Sequence, residues 1–522
     1  MRERSPAIVL MSLVVVLATA GHGSSAPQAT PTADGYRGIW YGLRAYGGGF
    51  AVFPSQHSPF AIYRSEAKKT FFVYGGTVAG KRQLQAMASY YDHERGVVPR
   101  PTIVHDWGEW NLKSGPAADA HRNPTISVDG DGRVWVFVSG HGDNGYVYRA
   151  KEPYSVESFE LVVATPMTYP NAWWIPNKGF FLFFTKYDHS RESFWLTSPD
   201  GKSLADSETW KTPGQLNAWT VSPDGDKPGH GNYQFTAAQG SRVATAMNHW
   251  IGRTRDRSSL FYLQSDDMGK TWQTADGKPF TPPIRQVKCP PLVRDFWGGH
   301  LQVYVQHLTF DRQGRPAILF LTSPLGQGAE GTGGPKTGTI AHWVGDRWAF
   351  HQTTALANNF DCGSLSIEDD GTWRIIGPTE ARPQALKTGG EIAMWTSNDE
   401  GKTWKKVQQL TQGSKYNHSY VRQPVDAHPD FYGLWADGDG DKPSSSRLYF
   451  CSKAGDVRVL PATMSGNFAK PETLERKSET GKSLLVPTVL RGNEPSATLR
   501  VAPADAERRK TRVPTRSVGT RY

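Results

Sequence analysis

The chain has 522 residues, a net charge of +10, 38% apolar residues, 54 glycines and 61 aromatic residues of the Phe, Trp and Tyr types (23, 18 and 20). Few stretches repeat an apolar residue at helical spacing, which excludes a helical bundle, and three distant cysteines (Cys289, Cys362, Cys451) exclude a disulfide framework. The mixture suits many short strands joined by tight turns, with aromatics packed between sheets. A basic chain of this kind attracts nucleic acid, anionic membranes or acidic glycans. Part of the charge, however, lies between Glu507 and Arg521, where a solvated basic run is the simpler account.

Residues 1–20 read as a signal peptide: Arg2 and Arg4 open it, Ala7 to Leu17 is apolar, and Ala18-Thr19-Ala20 is a small-x-small cleavage site. A retained anchor is the competing reading, but the apolar run is short for a bilayer. The expected location is therefore secreted or periplasmic, with no membrane contact after cleavage. Residues 21–33 form a polar, Pro-containing leader expected to be disordered, and residues 464–522 a Glu, Lys, Arg, Pro and Ser-rich tail expected to be the same.

Residues 34–463 repeat. A turn followed by an apolar strand recurs seven times, at Lys68-Lys69, Asp131-Gly132, Lys178-Gly179, Gln239-Gly240, Gln313-Gly314, Asp370-Gly371 and Pro429-Asp430. This period fits four-stranded blades and predicts an all-β, seven-bladed β-propeller. Ser265-Asp-Asp-Met-Gly-Lys-Thr-Trp272 and Ser397-Asn-Asp-Glu-Gly-Lys-Thr-Trp404 both read S-x-D-x-G-x-T-W, the Asp-box, with a degraded copy from Ser198 to Trp210. Such turns are structural: Ser and Asp bond turn backbone, Gly takes a positive φ, and Trp packs between sheets. A β-sandwich is the runner-up fold, without this period.

The strings Asp34-Gly-Tyr-Arg-Gly-Ile-Trp40, Ser55-Gln-His-Ser-Pro-Phe-Ala-Ile-Tyr63, Ala120-His-Arg-Asn-Pro124, Ser139-Gly-His-Gly142 and Tyr416-Asn-His-Ser-Tyr-Val-Arg422 resemble the BNR-4 repeat family. That group of secreted propellers includes ulvan lyases and a rhamnosidase acting on rhamnosyl-glucuronate ends. The resemblance implies a propeller and an acidic polysaccharide partner, and leaves lyase and hydrolase chemistry open.

Eliminating a 4-linked uronate needs a cation or amide to neutralise the carboxylate, a base for the C5 proton and an acid for the departing O4. His121 and His141 bracket one hairpin, so both emerge at the same end of a blade, and Tyr187 ends the equivalent strand of the next blade. By resemblance Tyr187 is the base or shared acid/base, His121 the acid or its partner, and His141 orients substrate or tunes Tyr187. The bland alternative for each is a hydrogen-bonded loop residue. Arg191 is the candidate carboxylate partner, with Tyr233, His249, His418 and Arg422 as further binding groups. His57 matches the histidine on which the family's rhamnosidases rely, and is read either as that residue or as a substrate contact.

Cys289, His307 and Cys362 form a candidate structural metal set, with spacing unlike a zinc knuckle; the proposed chemistry requires no cofactor. The leading expectation is a monomeric polysaccharide lyase acting by β-elimination on an acidic, rhamnose-bearing polysaccharide, with no nucleic-acid partner. An α-L-rhamnosidase centred on His57 and a silent glycan-binding propeller are the alternatives.

Overall fold

The computed structural model describes residues 30–40, 49–50, 57–81, 83–109, 119–187, 191–218, 232–251, 256–326, 336–385 and 387–475. The expected signal peptide, most of the leader and the basic tail from residue 476 lie outside them. Strands dominate the described chain, which adds only short 3-10 turns. They form seven antiparallel sheets of four to six strands, mostly consecutive in sequence, and one two-stranded pair. This is the seven-bladed propeller.

In each blade the expected turn stands immediately before the second strand. Those strands are Lys69–Gly76, Arg133–Val138, Gly179–Lys186, Arg242–Ile251, Pro316–Pro324, Trp373–Gly377 and Gly433–Gly438, which define blades 1 to 7. A second strand has a neighbouring blade on both faces, so its sequence is largely apolar and does not simply alternate. Gly179–Lys186, GFFLFFTK, is buried at every position but the last. Outer strands meet water: Phe159–Pro166 of blade 2 has one buried residue in eight.

The two S-x-D-x-G-x-T-W turns have the same geometry. Asp399 Oδ1 accepts the Ser397 hydroxyl at 2.7 Å and the Thr403 N–H at 2.9 Å, while its Oδ2 accepts the Thr403 hydroxyl at 2.6 Å. Asp267 repeats these bonds with Ser265 and Thr271. Gly269 has φ 79°, and a Cβ there would collide with Trp195. Trp272 crosses to blade 3, 5.0 Å from Trp195 and 6.1 Å from Phe181.

The ring closes between its ends. Ser444–Ser446, from the last blade, pairs antiparallel with Gly38–Trp40 on the first. Ile62 bridges Val425, whose N–H bonds the Ala61 carbonyl at 2.9 Å. Folded chain also extends past both expected boundaries. Thr32 bridges Thr102 and Ala33 is buried, so the leader's last residues pack on blade 1. After residue 463, Phe468–Ala469 pairs with Val98–Pro99 and Glu472–Thr473 with Val457–Val459. These two-residue strands are too short to leave a pattern in the sequence.

Replacing Asp399 with Ala removes three turn hydrogen bonds. A loss of about 1–3 kcal/mol is expected in thermal or chemical unfolding.

Candidate active site

Antiparallel blades place the loops before strand one and between strands two and three at the same end. Ala120–Arg122 precedes the first strand of blade 2, Pro124–Val128, while His141 follows its second strand. Tyr187 and Arg191 flank the strand-two to strand-three connection of blade 3, and Tyr233 opens blade 4. These residues all reach one mouth of the central axis.

Asp119 organises the mouth. It caps the short turn by accepting the His121 N–H at 3.0 Å, and the same carboxylate accepts Nδ1 of His121. Its other oxygen takes Nδ1 of His141 at 2.5 Å. The two imidazoles stack with centroids 3.8 Å apart and planes 8° from parallel. Asp143 fixes the second loop, accepting the His141 N–H at 2.8 Å and the Arg122 guanidinium at 2.7 Å. With both Nδ1 protons directed at one carboxylate, each ring in its neutral state carries its lone pair on Nε2.

Burial would raise Asp119, but the hydrogen bonds and charges of His121 and His141 outweigh it and hold the carboxyl well below its usual range. Burial pushes His121 down to about 4, against the pull of Asp119. The ring of Tyr187 meets that of His141 edge-on at 5.3 Å, and its hydroxyl lies 3.5 Å from that of Tyr169. Burial raises the Tyr187 phenol, with Arg191 opposing, so Tyr187 keeps its proton at neutral pH.

Cations and aromatics alternate from this point inward. The Arg191 guanidinium lies 4.9 Å from the Tyr187 ring and 4.6 Å from that of Tyr233, whose hydroxyl it bonds. Arg257 sits 4.4 Å from the other side of the series at Tyr233 and 4.8 Å from Tyr304, whose hydroxyl accepts its Nη1 at 2.9 Å. His57 is buried beside this group, its ring 5.3 Å from that of Tyr169. Burial, then His121 and Arg422, lower its pKa well below the usual value. Tyr169 holds φ 51°, an uncommon conformation for a bulky residue, at a register break in Thr168–Ile175.

The sequence thus predicts His121, His141, Tyr187, Arg191, Tyr233 and His57 as site residues, and the fold brings them together. Others are placed differently. His418 is buried with both nitrogens engaged, by Ser414 at 2.8 Å and Trp435 at 3.1 Å, and it packs on Tyr449 inside blade 7. Both ring nitrogens are thereby used inside the blade. His249 is buried in blade 4, paired in register with Asn232, and burial lowers it to about 3. Arg422 is buried with its Nε donating to the Phe50 carbonyl at 3.1 Å.

The expected metal set is not assembled. Cys289 packs on the core between blades 3 and 4, Cys362 joins the axial aromatic cluster, and His307 packs on Phe235 at 4.7 Å. All three cysteines are unbridged thiols. Asp119, Tyr169, Arg257 and Tyr304 were not singled out by the sequence. Only Asp119 carried a signal, a carboxylate two residues before a candidate histidine.

The fold and this mouth define a β-propeller with an acid–base cluster and paired arginines at one end of its axis. A model of the BNR repeat-containing family matches residues 85–356, just over half the chain, and the protein belongs to that family. It is 22% identical over 494 residues to an ulvan lyase of family PL25 from Pseudoalteromonas sp. (strain PLSV), covering 88% of this chain and 96% of that one. It is 21% identical over 399 residues to an ulvan lyase from Alteromonas sp. (strain LOR), covering 68% and 79%. A solved PL25 ulvan lyase bound to -[GlcA(1-4)Rha3S]- superimposes with a TM-score of 0.65 at 18% identity, over 82% of this chain and 98% of that chain.

Asp119→Asn removes the charge that pulls the His121 pKa upward. The His121 protonation midpoint, read by NMR titration, is expected to fall below about 4.

Proposed function

We propose that this protein is a polysaccharide lyase that cleaves an ulvan-like chain of glucuronate and sulfated rhamnose by β-elimination. The observation that carries the reading is Asp119 holding two imidazoles, with a protonated Tyr187 and the Arg191 guanidinium in the same mouth. The substrate class follows from the ulvan lyases to which the chain is similar over most of its length, one of them holding -[GlcA(1-4)Rha3S]-.

In this mechanism Arg191 neutralises the uronate carboxylate, which acidifies the C5 proton. Nε2 of His141, on the more exposed of the two imidazoles, removes that proton. The released electron pair forms the C4–C5 double bond as the C4–O4 bond breaks, and the Tyr187 hydroxyl protonates the departing O4. Transfer of the proton from His141 to the Tyr187 phenolate restores the resting state. The raised phenol favours Tyr187 as acid over its expected part as base. Arg191, Arg257 and the basic chain as a whole attract a polyanion to the mouth. Export through the residue 1–20 signal would bring the enzyme to such a polymer.

The test is incubation with ulvan while following the ultraviolet absorbance of an unsaturated uronate. Absorbance should grow, and Tyr187→Phe or His141→Ala should lower kcat at least about 100-fold. Free rhamnose without absorbance, lost in His57→Ala, would replace elimination with hydrolysis; no product of either kind would leave a binding propeller.

The pH profile gives a second check. His121 loses its proton as pH rises through about 4, and Tyr187 keeps its own beyond the ordinary tyrosine value of about 10. The Asp119–His121 pair should therefore impose no acid limb on kcat/KM above about pH 5, and Tyr187 no alkaline limb below about pH 10. An alkaline limb near neutrality that disappears in Tyr187→Phe would contradict this assignment.

A further inference from the structure

A second cluster of metal-type donors lies at the seam between blades 1 and 7. His93 follows the third strand of blade 1, Gln83–Asp92, while His428 and Asp430 precede the second strand of blade 7. By the alternation of antiparallel strands, these loops lie at the end opposite the Asp119 mouth. One donor atom from each residue lies within 4.8 Å of the other two. The imidazoles approach to 3.9 Å between centroids, with Tyr63 and Tyr91 each 5.3 Å or less from the His93 ring.

The hydrogen bonds leave acceptors facing one another. His93 Nε2 is 2.8 Å from the Thr70 hydroxyl. With its proton given to that oxygen, His93 carries a lone pair on Nδ1, which is buried without a hydrogen-bond partner. His428 Nδ1 is unprotonated, accepting the Asp430 N–H at 3.1 Å, and lies 3.7 Å from Asp430 Oδ2; a cation would take that lone pair in place of the N–H. That spacing is close to the edge of about 3.4 Å between ligands of a tetrahedral zinc with bonds near 2.1 Å. Thr70 stands where an outer hydrogen bond fixes the tautomer of a ligating histidine. The exposed side of Asp430 leaves room for water as a fourth ligand.

We propose that His93, His428 and Asp430 bind a divalent cation of the zinc class, which staples the first blade to the last. The site exists only when the ring is closed, because its ligands come from opposite ends of the folded chain and meet beside the Ile62–Val425 bridge. Cation binding therefore favours the closed ring by mass action. The proposal is independent of the lyase reading, since none of its residues belongs to the acid–base mouth.

The experiment uses the full chain stripped with chelator and titrated with Co²⁺ and Zn²⁺. One equivalent of Co²⁺ should give the visible absorption of a tetrahedral N/O site, and Zn²⁺ should displace it and raise the Tm. His93→Ala and the milder Asp430→Asn should abolish the spectrum and the Tm rise while leaving turnover of ulvan unchanged. His141→Ala should retain both. Absence of a cobalt spectrum and of a Tm shift in the unmodified chain would overturn the proposal. So would a spectrum that survives Asp430→Asn and disappears in His141→Ala, which would put the cation on Asp119, His121 and His141.

Discussion

Closure of the ring is the constraint on which the remaining geometry depends. A sheet edge left open would expose unpaired backbone groups, and the pairing of Ser444–Ser446 with Gly38–Trp40 joins the two ends of the blade series. Once closed, the ring directs the start of every first strand toward one mouth and its finish toward the other. Loops from blades 1, 2, 3 and 4 then meet with little freedom of approach, which is what the proposed proton transfer requires.

Within that frame the mouth holds one partly buried negative charge between two imidazoles. Water reaches only part of Asp119. Burial instead leaves His121 and His141 as the groups that satisfy the carboxylate, and their tautomers follow from it. The same desolvation raises Tyr187 and lowers His121, separating a proton donor from proton acceptors over a few ångströms. The arginines threaded between Tyr187, Tyr233 and Tyr304 make the surrounding field positive and add a basic lining to an otherwise aromatic interior.

Much of this was legible in the sequence because repetition carries its own register. Each of the seven expected turns precedes a second strand, and that register alone puts His121, His141 and Tyr187 at a common end. Residues defined by partners across the axis were less accessible. Arg257 and Tyr304 belong to strands in different blades and acquire meaning only from their contact. His418 resembled a mouth residue because it opens the first strand of blade 7, but strand position does not say which side of a blade a ring faces. Asp119 could have been noticed from its spacing to His121. The two-residue strands beyond residue 463 could not, since strands that short have no periodicity.

The axial aromatics have a further consequence for the interior of the ring. Trp40, Tyr169, Tyr233, Tyr304, Phe360 and Tyr420, drawn from around the ring, are each no more than 2% exposed and join one cluster below the mouth. Beyond them, toward the other end, lies a cavity of about 520 Å³ lined by Phe235–Gln239, His307–Phe310 and the loop from Gln423 to Ala427. The cluster is a stopper between two compartments. Six large rings packed against one another leave the Asp119 mouth and that cavity as separate recesses, divided by apolar side chains.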